Sequence, residues 1–172
     1  MADLGNVLPS LAVGPNDRLH IAWASAYIMH PTYKVPLYVP AYSSANVDDV
    51  FHGVRQVGEG YRYASVRAPE TGLAASAGTL HVVFTTYGPR DGSWVWCYSS
   101  THGGNTFSQG VGVYDVPGQD ALHFPLVAAD KGNVIHVAWA AQRGDLWDIY
   151  YARSSDGGAS FASPRRVNMT EF

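Results

Sequence analysis

The sequence has few of the residues that mark disulfide, metal and nucleic-acid chemistry. Cys97 is the only cysteine among 172 residues, so no intramolecular disulfide and no cysteine-rich zinc site can form. Charged residues make up 15% of the chain, the formal net charge is −3, and no run of Lys or Arg occurs. Because nucleic-acid binding needs a clustered basic surface, we predict no nucleic-acid partner.

Long apolar runs and helical periodicity are also missing. No apolar stretch reaches membrane-spanning length, which predicts no membrane partner. The first ten residues, MADLGNVLPS, contain neither a basic region nor an apolar run. The expectation is therefore a chain without a signal peptide, cytoplasmic as it stands. No segment places apolar residues at helical spacing, which excludes an α-helical repeat protein.

What the sequence does contain favours β-structure. Hydrophobic residues make up 47% of the chain, which is enough for a core, and Gly 18, Pro 10 and Tyr 11 indicate many turns between aromatic-rich strands. Cys97 stands between Trp96 and Tyr98, so we expect a small buried hydrophobic side chain rather than a reactive thiol.

A short polar stretch, RSSDGGASF (153–161), has two degraded copies elsewhere in the chain. SSTHGGNTF (99–107) matches it closely and SSANVDDVF (43–51) more weakly. In each copy an aromatic residue follows a serine by seven residues, and a valine follows the aromatic by six. Upstream, LHIAW, LHVVF and IHVAW share an apolar-His-apolar-x-aromatic pattern around His20, His81 and His136. The chain is therefore a threefold repeat with a period of 54 to 61 residues.

Each repeat contains four strand signals with Gly-rich turns between them, which is the pattern of one propeller blade. We designate the strands a, b, c and d in chain order. The predicted fold is all-β, with three four-stranded antiparallel propeller blades in one unit spanning residues 1–172. The blades are expected at about 7–58, 64–116 and 122–168.

The polar stretch is expected to be the turn between strands c and d. Gly157 and Gly158 allow positive φ, the Asp156 carboxylate can accept hydrogen bonds from the turn, and Ser154 and Ser160 can brace it. Equivalent positions hold His102 and Asn46, so the three copies cannot share one catalytic acid.

The pattern Ser-x-Asp-x-Gly-x-Ser/Thr-aromatic resembles the Asp-box of sialidases and related BNR-type β-propellers. The copy at 153–161 fits every position, and the copy at 99–107 departs once, at His102. The resemblance implies a structural box on the propeller face opposite the active site. It also implies relatives that are often secreted.

Three blades do not close a ring, because propellers typically carry about 4–8 blades. Two open apolar faces are not tolerated in a soluble monomer. We therefore predict a homodimer that closes a six-bladed ring about a two-fold axis. The alternative is that the chain is half of a longer protein.

Ligand-binding residues are expected on the face that carries the b–c and d–a loops. The b–c loops are predicted at 24–36, 85–93 and 140–147, and the first is the longest. Arg, Asp and aromatic side chains at such a rim suit sugars. The candidate ligand-binding residues are Tyr33, Tyr61, Tyr63, Arg67, Arg90, Asp91, Arg143, Asp145 and Trp147.

The resemblance to sialidases implies three arginines on a substrate carboxylate, a Tyr nucleophile assisted by Glu, and an Asp acid/base. Arg67, two residues before Pro69, is the one match to the first arginine motif, and only three glutamates exist. We therefore predict no catalytic residue, no cofactor and no metal; the three repeated histidines are expected to pack or to form hydrogen bonds. The predicted function is a non-catalytic glycan-binding module, with a sialidase-type glycoside hydrolase and a protein-interaction platform as alternatives.

Overall fold

The computed structural model describes residues 6–29, 36–58, 70–76, 78–88, 92–116 and 122–168. These residues form twelve strands and one short 3-10 helix, Pro15–Asp17. The strands are β1 (Asn6–Val13), β2 (Arg18–Met29), β3 (Pro36–Asn46), β4 (His52–Gln56), β5 (Thr71–Ser76), β6 (Thr79–Gly88), β7 (Gly92–Ser100), β8 (Val111–Val116), β9 (Leu122–Ala129), β10 (Ile135–Arg143), β11 (Leu146–Ser154) and β12 (Arg165–Arg166).

The twelve strands form three separate antiparallel sheets, each of four strands in chain order. Blade 1 consists of β1–β4, blade 2 of β5–β8 and blade 3 of β9–β12. The all-β fold of three four-stranded blades is thus confirmed. The innermost strand of blade 2, β5, lies against both β1 and β9. Over the ranges given above, no helix is long and apolar enough to cross a bilayer.

Two apolar cores fill the spaces between neighbouring blades. One joins Ala22 and Tyr42 of blade 1 to Val82 and Phe84 of blade 2, and the other joins Val83 and Cys97 of blade 2 to Val137 and Trp139 of blade 3. Successive side chains of β6 point to opposite sides, so both faces of blade 2 are buried. Among the described residues, nothing covers the outer faces of blades 1 and 3, and large side chains such as Leu11 and Leu126 are exposed there.

Cys97 lies within the second of these cores and is 1% exposed. Burial raises the pKa of its thiol to about 12. A thiol in this state is a poor nucleophile, which confirms the expectation of a small buried hydrophobic side chain.

The repeated histidines lie at one position in strand b of each blade and form hydrogen bonds, as predicted. His20 Nδ1 lies 2.6 Å from the Tyr42 hydroxyl, and His136 Nδ1 lies 2.7 Å from the Tyr151 hydroxyl. His81 is bonded through both ring nitrogens, to Ser99 and Asn133, at 2.9 Å each. Burial lowers the pKa of His20 and of His81, so both rings favour the neutral form. No metal-binding cluster of three His, Cys, Asp or Glu side chains is found in the described part of the chain.

The stretch 154–161 is the turn between strands c and d, as predicted. Ser154 Oγ donates to Asp156 Oδ1 at 2.7 Å, and Ser160 Oγ donates to Asp156 Oδ2 at 2.5 Å. Ser160 N–H donates to Asp156 Oδ1, and Gly158 N–H donates to Ser154 Oγ. We refer to residues 44–51, 100–107 and 154–161 as the c–d turns. The end of the blades that carries them is the turn face, and the opposite end is the loop face.

The b–c connections are shorter than the sequence suggests. β6 continues to Gly88 and β10 to Arg143, so most of the predicted loops 85–93 and 140–147 is strand. The d–a connection before blade 3, predicted at 114–123, is also shorter, because β8 runs to Val116 and β9 begins at Leu122. The prediction placed these ends in loops because their polar residues interrupt the apolar pattern. The strands continue because backbone pairing with the neighbouring strand does not require apolar side chains.

The Asp156 carboxylate makes the third c–d turn sensitive to acid. Hydrogen bonds from the Ser160 and Ser154 hydroxyls and from the Ser160 N–H lower the pKa of Asp156 to about 2. A carboxyl group with a depressed folded-state pKa stabilises the fold above its unfolded pKa of about 4, and this contribution is lost as the pH falls toward about 2.

We therefore expect the melting temperature of Asp156→Asn to lie below that of the wild type above about pH 5, with the difference shrinking toward about pH 2. Thermal unfolding followed by circular dichroism across this range measures it. The exposed Asp145, replaced as Asp145→Asn, is the control and should show no such trend. A difference that stays constant with pH would contradict this account.

Candidate functional site

The side chains of Glu70 and His123 are in contact at the loop face, where blades 2 and 3 meet. His123 Nδ1 lies 2.8 Å from Glu70 Oε1. An ionised carboxylate only accepts hydrogen bonds, so the imidazole Nδ1–H is the donor. The backbone N–H of Phe124 donates to the other carboxylate oxygen, Oε2. The Glu70 backbone is in turn tied to Thr85, whose hydroxyl accepts from the Glu70 N–H at 3.3 Å.

Aromatic rings surround this pair. The His123 ring lies 5.3 Å from that of Trp147 at an edge-on angle of 62°, and 5.9 Å from that of Tyr87. The Tyr87 hydroxyl donates to the backbone carbonyl of Leu122, which fixes the start of β9. Trp147 is 46% exposed although it is a large apolar ring. The cluster thus combines a solvent-facing aromatic surface with a half-buried acid and an imidazole.

Arg143 and Trp147 are carried by the β10–β11 hairpin, which turns sharply at Gly144 with a φ of 61°. Arg143 Nε donates to Asp148 Oδ2 at 3.0 Å. Asn168 Nδ2 donates to Asp148 Oδ1 at 3.0 Å, and Arg166 lies 3.6 Å from Oδ2.

The net result of these contacts is a firmly ionised Asp148. Burial works to raise the pKa of the Asp148 carboxyl, but hydrogen bonds from Asn168 and Arg143 and the charges of Arg143 and Arg166 outweigh it, so the pKa is lowered. The Arg143 side chain is held by this carboxylate and is still 60% exposed.

Three of the predicted ligand-binding residues lie together in this hairpin: Arg143, Asp145 and Trp147. Arg143 pairs with Leu146 and Gln142 pairs with Trp147, so Arg143 and Trp147 occupy adjacent positions of the ladder and their side chains leave opposite faces of the hairpin. Asp145 is exposed in the turn itself. The other six predicted residues lie outside the described residues: Tyr33, Tyr61, Tyr63, Arg67, Arg90 and Asp91.

The Glu70–His123 pair was not predicted from the sequence. Its two members are 53 residues apart and belong to different blades. The available signal was that both residues lie at the start of strand a, beside the repeated proline. Glu70 follows Pro69 directly, and His123 precedes Pro125 by two residues. The sequence alone does not say that neighbouring strands a approach closely at this end.

A cleft lies at the opposite end of the molecule. It has a volume of about 460 Å³ and separates the c–d turns of blades 2 and 3. Its lining is mostly turn backbone and small polar side chains, together with His102 and Phe107. Unlike the Glu70 cluster, this lining contains no carboxylate, guanidinium or indole group.

No family model matches the sequence, and no curated protein matches it. Among solved structures, 62 chains match the fold. One of them is named Hadza microbial sialidase Hz136 and aligns with a TM-score of 0.63 at 11% sequence identity. The alignment covers 94% of this chain but 38% of the length of that one. At this identity the likeness shows a shared propeller-type fold and nothing further.

Proposed function

We propose that this chain is a non-catalytic, sialidase-like propeller unit that binds glycans at its loop face. The observation that carries the proposal is the half-exposed Trp147 ring beside the Glu70–His123 pair. Sugar rings present a flat C–H face that packs on an indole, while their hydroxyls need nearby donors and acceptors. His123 and Glu70 are 31% and 18% exposed, so both remain accessible for such bonds.

Arg143 lies at the tip of the same hairpin, on the face opposite Trp147, and its cation favours an acidic sugar that extends around the tip over a neutral one. The bond to Asp148 uses Nε, so it leaves the two terminal guanidinium nitrogens for a second carboxylate. A guanidinium fixed at its base loses less conformational freedom on binding than a mobile one.

The contacts of the Glu70 carboxylate support binding rather than hydrolysis. Glu70, the one glutamate among the described residues, is bonded to His123 and to the Phe124 backbone N–H, and not to a tyrosine. The second candidate function is a sialidase-type glycoside hydrolase, which is favoured by the fold likeness to a protein with that name. A fluorogenic sialoside separates the two, because turnover above background would overturn the binding-only proposal.

We expect Trp147→Ala to weaken glycan binding by about tenfold or more, because the stacking surface is lost. The measurement is isothermal titration with sialyllactose and with lactose as probes. Arg143→Gln should lower the affinity for sialyllactose and leave the weaker binding of lactose unchanged.

The matched control is His102→Ala, which changes an exposed ring at the turn face. It should leave both affinities unaltered. Loss of binding in His102→Ala together with full binding in Trp147→Ala would place the ligand in the cleft at the turn face and refute the loop-face site.

A further inference from the structure

The outer face of blade 1 has the chemistry of a buried inter-blade face. Leu19, Ile21 and Trp23 alternate along β2 and are partly exposed. The equivalent residues of blades 2 and 3 are at most 2% exposed: Leu80, Val82, Phe84, Ile135, Val137 and Trp139. In those blades they pack against the preceding blade. Beside Trp23 lies a cleft of about 330 Å³, lined also by Asn6, Val7 and Pro9.

The outer face of blade 3 repeats the face by which blade 1 packs on blade 2. Strand b reads HIAWA at 20–24 and HVAWA at 136–140. In blade 1 the His and the two Ala side chains are buried at 2% exposure or less. In blade 3 His136 and Ala138 remain partly exposed. Blade 3 therefore presents a packing surface that no further blade among the described residues covers.

A His–Tyr pair is shared by these two faces. The rings of His20 and Tyr42 are stacked with centroids 6.0 Å apart, and those of His136 and Tyr151 have the same separation. The Tyr42 hydroxyl donates to the carbonyl of Gly103 in the c–d turn of blade 2, at 3.2 Å. Because Tyr42 has one hydroxyl proton, His20 Nδ1 must be the donor in its own bond to Tyr42. In blade 3, the same arrangement makes His136 Nδ1 the donor to Tyr151. The Tyr151 hydroxyl proton can then be donated to the turn of a following blade.

The aromatic residue of the c–d turn completes this contact. Phe107 meets the Tyr42 ring edge-on, with centroids 5.3 Å apart and planes at 75°. The equivalent residue of blade 1 is Phe51, which is 36% exposed. Phe51 is therefore available to a tyrosine from a preceding blade.

Charge complementarity points to a second copy of this chain as that partner. The c–d turns of blades 2 and 3 have Gly104 and Gly158 at the position that touches the preceding blade, whereas blade 1 has Asp48. On the facing side, Ser99 contacts the turn of blade 3 through a 3.4 Å hydrogen bond to Gly157 O. In blade 2, Ser99 pairs across the sheet with the repeated histidine, His81. In blade 3 the equivalent position, which pairs with His136, holds Arg153.

Blades 1 and 3 thus depart from the repeat at matching positions and with opposite charge. Asp48 and Arg153 are both exposed. A carboxylate in place of glycine prevents the close approach seen in blade 2, and the longer arginine in place of serine spans the larger gap with an ion pair.

We propose that the outer face of blade 3 docks head to tail on the outer face of blade 1 in a second copy. His136, Tyr151 and Arg153 then lie against the c–d turn 44–51 of that copy, with Arg153 paired to Asp48. Two copies make two such contacts about a two-fold axis and close a ring of about six blades, within the usual size range.

The test is sedimentation velocity over a concentration series, with a charge-reversal cycle. The wild type should sediment at twice the mass of the chain. Arg153→Asp and Asp48→Arg should each weaken dimerisation by about tenfold or more, and the double variant should restore it. Lys131→Asp carries the same charge change on the exposed a–b turn of blade 3 and should have no effect.

A wild type that remains a monomer at every concentration would overturn the proposal. So would a double variant no tighter than the singles, or a Lys131→Asp variant as weak as Arg153→Asp. Near-ultraviolet circular dichroism shows whether each variant is folded. Dimerisation is measured without glycan, so its result is independent of the glycan titration.

Discussion

Gly104→Ala is expected to lower the free energy of unfolding by about 3 kcal/mol, because it forces blade 1 away from blade 2. Gly104 is buried with a φ of 84°, and a Cβ there would overlap the ring of Tyr42. Tyr42 is fully buried and belongs to the core between the two blades. The ring can move away only by breaking its hydrogen bonds to His20 and to the Gly103 carbonyl.

The neighbouring glycine provides a matched control. Gly103 also has positive φ, at 62°, but a Cβ there would have no atom within 4 Å. Gly103→Ala should therefore cost about 1 kcal/mol, the backbone strain alone. Urea unfolding followed by tryptophan fluorescence measures both variants. Equal losses of unfolding free energy in the two variants would mean that the backbone conformation, and not the contact between blades, requires glycine at position 104.

Trp139→Ala is expected to cost about 3–5 kcal/mol, because it removes the largest side chain of the core between blades 2 and 3. Trp139 is 1% exposed and packs against Tyr114 and Tyr150, at centroid distances of 5.2 Å and 6.1 Å. Its indole nitrogen has no hydrogen-bond partner, so the ring contributes by packing. Urea unfolding of the two proteins gives the difference.

The same substitution at the equivalent position of blade 1 separates burial from residue type. Trp23 lies on the outer face and donates to Asn6 Oδ1 at 2.9 Å. In the Arg153→Asp background, at a protein concentration where it is monomeric, Trp23→Ala should cost about 1–2 kcal/mol. A loss as large as that of Trp139→Ala would show that the outer face of blade 1 is packed within one chain. In the wild type, Trp23→Ala should also weaken dimerisation.

The sequence predicted those features that depend on local pattern. The repeat predicted three blades of four strands each, since β-formers and turn residues recur at fixed offsets. The hydrogen bonds around Asp156 were predictable because all the groups involved lie within seven residues. The b–c connections were predicted too long because Gln142 and Arg143 are polar, although both lie in β10.

The candidate site was predicted only in part. Exposure and residue type identified Arg143 and Trp147, which a single hairpin carries. Glu70 was a scarce residue without an assigned role, and its bond to His123 depends on two strands that are distant in sequence. The packing of strands β5 and β9 at the loop face creates this pair.

The amino-acid sequence by itself determined the repeat, the four strands of each blade and the conformation of the turn at 154–161, because each depends on neighbours within one hairpin. Only the tertiary structure decided that Tyr42 packs on Gly104, that Glu70 binds His123, and that Trp139 is buried while Trp23 is not. The physical reason is that the repeats are similar in sequence but differ in their neighbours. Blade 2 is covered on both sides, whereas blades 1 and 3 each keep one apolar face open, and burial of a side chain depends on what lies opposite it.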